Sequence, residues 1–295
     1  MHNIKIRILL FILGVLLITL PFTGSDCNSN NNPPAPTTGG VAAPLNVALV
    51  LNSDTTGQNS TAIVSWDASP DENLDNFSGY KLVTYNVDTN HNVLSIHEVN
   101  TLPPSVHYFT VGSIALNTRY ESFVFSELND GTESDSAGTL IYSGIYEWND
   151  GTIDEYQPGD TTIIKSGYGW NIQTGKGTNY LFHSSNADMI DMIMRGGVND
   201  SLTFYSPDKF SPGTRSTKFI KIGPGQDAFD QTYLSEPYED SVRVDSNSVY
   251  LLKTTEGYYI KIWVKSIHYI AGSIPPYHNV VFYYKVQPLA GLKVL

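Results

Sequence analysis

Residues 249–264 read VYLLKTTEGYYIKIWV, and the period of their side chains limits the fold more than any other feature of the chain. Thr255, Glu256 and Gly257 make a turn. Beyond it Tyr258, Ile260, Ile262 and Val264 share one face, while Tyr259, Lys261, Trp263 and Lys265 take the other. A period of two belongs to an antiparallel strand covered on one side, so this hairpin needs partner strands and a layer over its apolar face. Residues 280–286 (VVFYYKV) continue it, with Val280, Phe282, Tyr284 and Val286 on one side. Together the three runs predict a three-stranded meander with a half-buried central strand.

The first half carries the same period in shorter pieces. Residues 61–66 (TAIVSW) place Ala62, Val64 and Trp66 on one face, the polar turn SPDEN follows, and residues 80–87 (YKLVTYNV) give a second strand. Residues 116–126 (LNTRYESFVFS), the turn LNDGTES and a closing strand near 138–142 complete the pattern. The 19 tyrosines and the scarcity of helical Ala/Leu/Glu/Lys runs agree with an all-β chain. With 41% hydrophobic and 16% charged residues, the folded part suffices for two modest domains, each able to bury a core.

Short strands at this spacing suggest a sandwich. Residues 42–144 resemble a fibronectin type III module, an immunoglobulin-like sandwich. Trp66 stands at the family's core tryptophan, Tyr80 in its G-Y-K-L form on the following strand, and Leu116 with Tyr120 at its tyrosine corner. The resemblance implies a non-catalytic spacer, adhesion module or binding scaffold. If Tyr120, Ser122, Val124 and Ser126 face inward, then Phe123 and Phe125 face outward beside Val83, Tyr85 and Val87, a candidate interface. Two readings fit an apolar stripe there: cover from the neighbouring domain, which is preferred, or an adhesive patch for a partner.

At the start of the chain, His2, Lys5 and Arg7 precede the apolar run 8–20 (ILLFILGVLLITL). A membrane span needs about 20 apolar residues, so residues 1–26 read as a secretory signal peptide. Cys27, the single cysteine of 295 residues, follows at once, and an exported chain with one cysteine holds no intramolecular disulfide. Residues 23–27 (TGSDC) resemble a bacterial lipoprotein signal, although Asp26 stands where that pattern has a small residue. The resemblance implies that Cys27 is acylated and anchors the protein to a membrane of the cell envelope. The alternative is ordinary cleavage near Gly24 or Ser25, leaving a free thiol. Residues 27–41, rich in Asn, Pro, Thr and Gly, read as a disordered tether. A net charge of −12 argues against nucleic acid as a partner.

Residues 145–295 form the second antiparallel β-rich domain. Lys253, Thr254, Gly257, Tyr259, Lys261, Ile262, Phe282 and Tyr284 resemble the final strands of the HmuY-like family of bacterial surface lipoproteins. Residues 169–175 (GWNIQTG) and 187–192 (ADMIDM) resemble its earlier strands, the second also fitting a short helix capped by Ser185 or Asn186. The resemblance implies capture of haem between two side chains, with His183, His268 and His278, or Met189, Met192 and Met194, as candidates by residue type. The competing reading has His268 and His278 as exposed loop residues beside Pro275 and Pro276, and the methionines as core filler.

Other chemistry finds little footing. The sequence has no H-E-x-x-H, G-x-S-x-G or Walker loop. Asp154 with Glu155, and Glu239 with Asp240, are adjacent and so point apart in a strand. Asp67, Asp71, Glu72 and Asp75 carry oxygens suited to Ca²⁺ without the spacing of a calcium loop. Trp148, Tyr168, Trp170, Tyr180 and Trp263 suit sugar stacking or a core equally. The expectation is thus a lipid-anchored surface protein, not an enzyme, that binds or adheres. Haem or another small ligand, and carbohydrate, are the alternatives.

Overall fold

A strand with one apolar face is stable only beneath a second layer. The computed structural model describes residues 40–157, 163–196, 201–273 and 275–295. It supplies that second layer twice, in four antiparallel sheets. The first half runs β1 (Leu45–Asn52), β2 (Thr61–Asp67), β3 (Phe77–Val87), β4 (Val93–Leu102), β5 (Tyr108–Val111), β6 (Arg119–Leu128) and β7 (Ala137–Gly138). Sheet β1-β2-β5 covers sheet β4-β3-β6-β7. Ala62, Val64 and Trp66 from one meet Tyr80, Leu82, Tyr120 and Val124 from the other in a buried cluster.

Two tyrosines lock this sandwich. The Tyr80 ring lies edge-on to Trp66 at 5.5 Å, and its hydroxyl accepts from the Ser69 backbone N–H at 2.9 Å while donating to Glu72. The Tyr120 hydroxyl accepts from the Ala115 N–H at 3.1 Å, pinning the segment that enters β6. The closing strand expected near 138–142 is shorter than its sequence suggests. Only Ala137–Gly138 pairs as a strand, and Tyr142 makes an isolated bridge to Tyr120.

The second half runs β8 (Tyr146–Asp154), β9 (Gly167–Trp170), β10 (Gly177–Tyr180), β11 (Met192–Gly196), β12 (Leu202–Tyr205), β13 (Lys218–Pro224), α1 (Gly225–Asp230), β14 (Ser241–Arg243), β15 (Ser248–Lys253), β16 (Tyr259–Ile270) and β17 (Tyr277–Val286). Sheets β10-β9-β11-β12-β14 and β13-β15-β16-β17-β8 enclose a core that includes Tyr168, Met192, Met194, Phe204, Tyr250, Ile262 and Phe282. The meander is present as β15-β16-β17, with Leu252 opposite Ile260 and Ile262 opposite Tyr284. Residues 187–192 divide: a 3-10 turn, Ser184–Met189, ends before β11 begins. Its cap is His183, not Ser185 or Asn186, because the imidazole accepts the Ser185 N–H.

One expectation fails instructively. The central strand is not half-buried, for Tyr259 and Lys261, on the face the alternation assigned to solvent, are each 1% exposed. Leu251, Tyr259, Val294 and Leu295 join the cluster built from Leu49, Leu51 and Trp66. The hydrophobic interior therefore runs across residue 144, and the outer face of β13-β15-β16-β17-β8 is an interior seam. Burying an aliphatic side chain such as Leu251 contributes about 1.5–3 kcal/mol, which explains why the seam closes.

Candidate functional site

The outer face of β4-β3-β6-β7 combines apolar character with access. Register fixes its membership: Val83 lies opposite Phe123 on β6 and Val99 on β4, and Tyr85 lies opposite Ile96. Cross-strand partners share a face, so these side chains form one surface, turned away from the sandwich core. Val83, Tyr85, Val87 and Phe125 are buried in a cluster that Val93, Phe123 and Ile141 complete. The Tyr85 and Phe123 rings meet edge-on at 5.9 Å. Gly138 on β7 permits this packing, since a Cβ there would stand 3.0 Å from the Phe123 ring.

Every side chain of that cluster comes from the first sandwich. Among the described residues the second half adds no side chain to this cluster; it docks through β1 and α1. Toward β4 the face opens: Ile96 is 62% exposed, Val99 49%, and neighbouring Leu94 68%. β4 is also the edge of its sheet, paired only to β3 there. Bulges after Thr84 and Asn86 break its register, and they turn His97 inward, where its ring meets Tyr120 at 4.9 Å.

Charged groups border the stripe. Lys81 pairs with Glu133 at 2.7 Å, and that hydrogen bond holds the ammonium above its ordinary range. Glu121, nearly buried opposite Tyr85, is pushed up by burial and partly relieved by His91 at 3.2 Å. The result is an apolar strip between ionic borders, a surface suited to contact.

The remaining candidates do not converge. His268 and His278 stand on strands β16 and β17, not in a loop, and successive residues there alternate faces. Tyr269 is the register partner of His278, so His268 faces the opposite side of the sheet. His268 is exposed and meets the Ser266 hydroxyl at 2.7 Å; His278 meets Glu155 at 2.7 Å. His278 also lines a hollow of about 250 Å³ with Arg243 and Asp245. His183 is spent on its cap. Met192 and Met194 are core, and Met189 is exposed.

The carboxylates separate too. Asp67 accepts from Asn46, Asp71 from the Ala42 N–H, and Glu72 serves Tyr80 and His107. Among the described residues no three His, Cys, Asp or Glu side chains gather as metal ligands. Asp154 binds Asn279, and Asp240 binds Lys218 and Lys209. Tyr168, Trp170 and Trp263 are buried, Tyr180 is partly buried, and Trp148 stacks on Tyr284. Cys27 lies outside the described residues. No family model matches the sequence, and no curated protein matches it.

Two groups escaped the sequence reading. Ile96 and Val99 did because the bulges scramble the alternation of VLSIHEVNTL; the signal left to find them is a surplus of apolar residues in a run without period. The charged seam around Lys261 and Lys285 escaped because alternation put Lys261 on the face turned to water and gave Lys285 no role.

Proposed function

We propose that this chain is an exported protein, lipid-anchored through Cys27 at the cell surface, that binds a partner protein without catalysis through the β4 side of its first sandwich. The observation that carries this reading is the continuity of one apolar face from buried Val83 and Tyr85 to exposed Val99 and Ile96 on an edge strand. An edge strand offers unpaired backbone groups to an extended segment, and alternate side chains of that segment find apolar contacts on the adjoining face. The fibronectin type III reading draws support from the sheet orders β1-β2-β5 and β4-β3-β6-β7 and from the Tyr120 hydrogen bond. A binding scaffold is the role that reading implies.

The test compares the full-length protein with an Ile96→Asp/Val99→Asp variant on a panel of immobilised extracellular proteins, on a polysaccharide column and with hemin. The expected result is retention by a protein that the double variant loses. Retention on polysaccharide, or a Soret shift, unchanged in the variant transfers function to the second half. Separately, Cys27→Ser is expected to move the protein from the membrane fraction to the soluble one. Unchanged membrane association in that variant refutes the anchor.

A further inference from the structure

Across strands β16, β17 and β8 lies a row of three charged residues. Lys261 is the register partner of Lys285, and Lys285 that of Glu147. They share the seam face, beneath β1 and α1. Lys285 is wholly buried. Its Nζ donates to the Leu51 carbonyl at 3.2 Å and stands 3.2 Å from Asp230 Oδ1 and 3.9 Å from Glu147 Oε2, with the Phe229 ring centroid at 4.8 Å. Gln226 Nε2 donates to the other Asp230 oxygen at 3.0 Å, which holds the carboxyl with Oδ1 toward the amine.

Lys261 does not compete for that carboxyl. Its Nζ is occupied by the carbonyls of Phe229, Gln231 and Leu295 at 3.1, 2.8 and 2.7 Å. The seam thus aims one buried amine at one side-chain carboxyl, with a second carboxyl directly across the strand pair. Removing an ion pair from water is costly even when its geometry is good. Joining the two groups would abolish both charges.

We propose that Lys285 and Asp230 condense to an intramolecular amide, with Glu147 shuttling the protons. A proton first passes from the Lys285 ammonium to the Asp230 carboxylate, leaving a neutral amine and a neutral acid. The nitrogen lone pair attacks Cγ, the Nζ–Cγ bond forms, and the carbonyl π pair moves onto oxygen. Glu147 takes a proton from the nitrogen and returns one to the departing hydroxyl. As the carbonyl re-forms, the Cγ–O bond breaks and water leaves. One ammonium and one carboxylate become one amide and one water, so the step needs no oxidant and no other reactant. Burial raises the Glu147 carboxyl, and a carboxyl less acidic than usual suits a group that both takes and gives a proton.

The amide would tie the end of α1 to β17, positions 55 apart in sequence, within a chain whose single cysteine provides no internal disulfide. Closing a loop of that length constrains the unfolded chain, as a disulfide does.

Mass spectrometry of the purified full-length chain tests this. The expected result is a mass lower by one water than that calculated, here and for every variant, for the chain with its own processed N-terminus, with a branched peptide joining residues 230 and 285 after digestion. Asp230→Ala and Lys285→Arg are each expected at the mass so calculated, and Glu147→Gln is expected to form the link slowly or not at all. A wild-type chain at its calculated mass overturns the proposal, whatever the variants do. A deficit that persists in Lys285→Arg places the dehydration elsewhere and overturns it equally. A fully linked Glu147→Gln removes Glu147 from the step.

Discussion

The two outward faces of this molecule reverse each other. On β4-β3-β6-β7 the outer face carries Val83, Tyr85 and Phe125 and opens to solvent at Ile96 and Val99. On β13-β15-β16-β17-β8 the outer face carries Lys261 and Lys285, and it is closed. Greasy side chains border water, and charged ones are shut away. The difference teaches that side-chain period assigns residues to a common face, whereas cover depends on what the rest of the chain brings to that face. β1, α1 and the segment ending at Leu295 are brought to the second face; the apolar cluster on the first is built from its own sandwich alone.

The largest effect should fall on the closed face. Lys261→Ala strands three carbonyl acceptors and is expected to cost about 3 kcal/mol, read by urea unfolding. A cost below about 0.5 kcal/mol, ordinary for an exposed site, would make the two faces alike. The same lysine predicts a pH signature. Burial first, and then the Lys285 ammonium where it is not joined to Asp230, pulls Lys261 down to about 7 from an ordinary 10.5, with the Asp230 and Glu147 carboxylates opposing the shift. Between those values the unfolded chain binds a proton that the folded chain lacks, so this group makes stability rise with pH from about 7 to 10.5. Subtracting the curve of a Lys261→Met variant isolates the slope; a difference flat across that window contradicts a dry seam.

Within the first sandwich the contrast lies between its inside and its outside. Tyr120→Phe leaves the Ala115 N–H without its acceptor and is expected to cost about 1–2 kcal/mol in the same assay. Smallest is Ile96→Asp/Val99→Asp, expected within about 0.5 kcal/mol of wild type because both side chains already face water. Marked destabilisation by that pair would reveal cover over β4 and remove the open face from the comparison.

Legibility followed the same line. β2 and the β15-β16-β17 meander could be read because a period of two runs between clear turns, and β3 because a run of strand-forming residues follows a polar turn. β4 was hidden by its bulges, and the 3-10 turn before β11 by an unusual histidine cap. The lysine row could not be read at all. Lys261, Lys285, Glu147 and Asp230 lie on three strands and a helix, and only tertiary contact joins them. For the candidate site, Val83, Tyr85, Val87, Phe123 and Phe125 were legible as a stripe, and its exposed margin was not.

The lysines in the seam also bear on the order of assembly. A growing chain completes β1–β7 before β15, β16 and β17 exist, so the seam's two sides mature at different times. Charged ends on the later side keep it wettable until β1 and α1 arrive, which discourages that sheet from sticking to strangers while it waits.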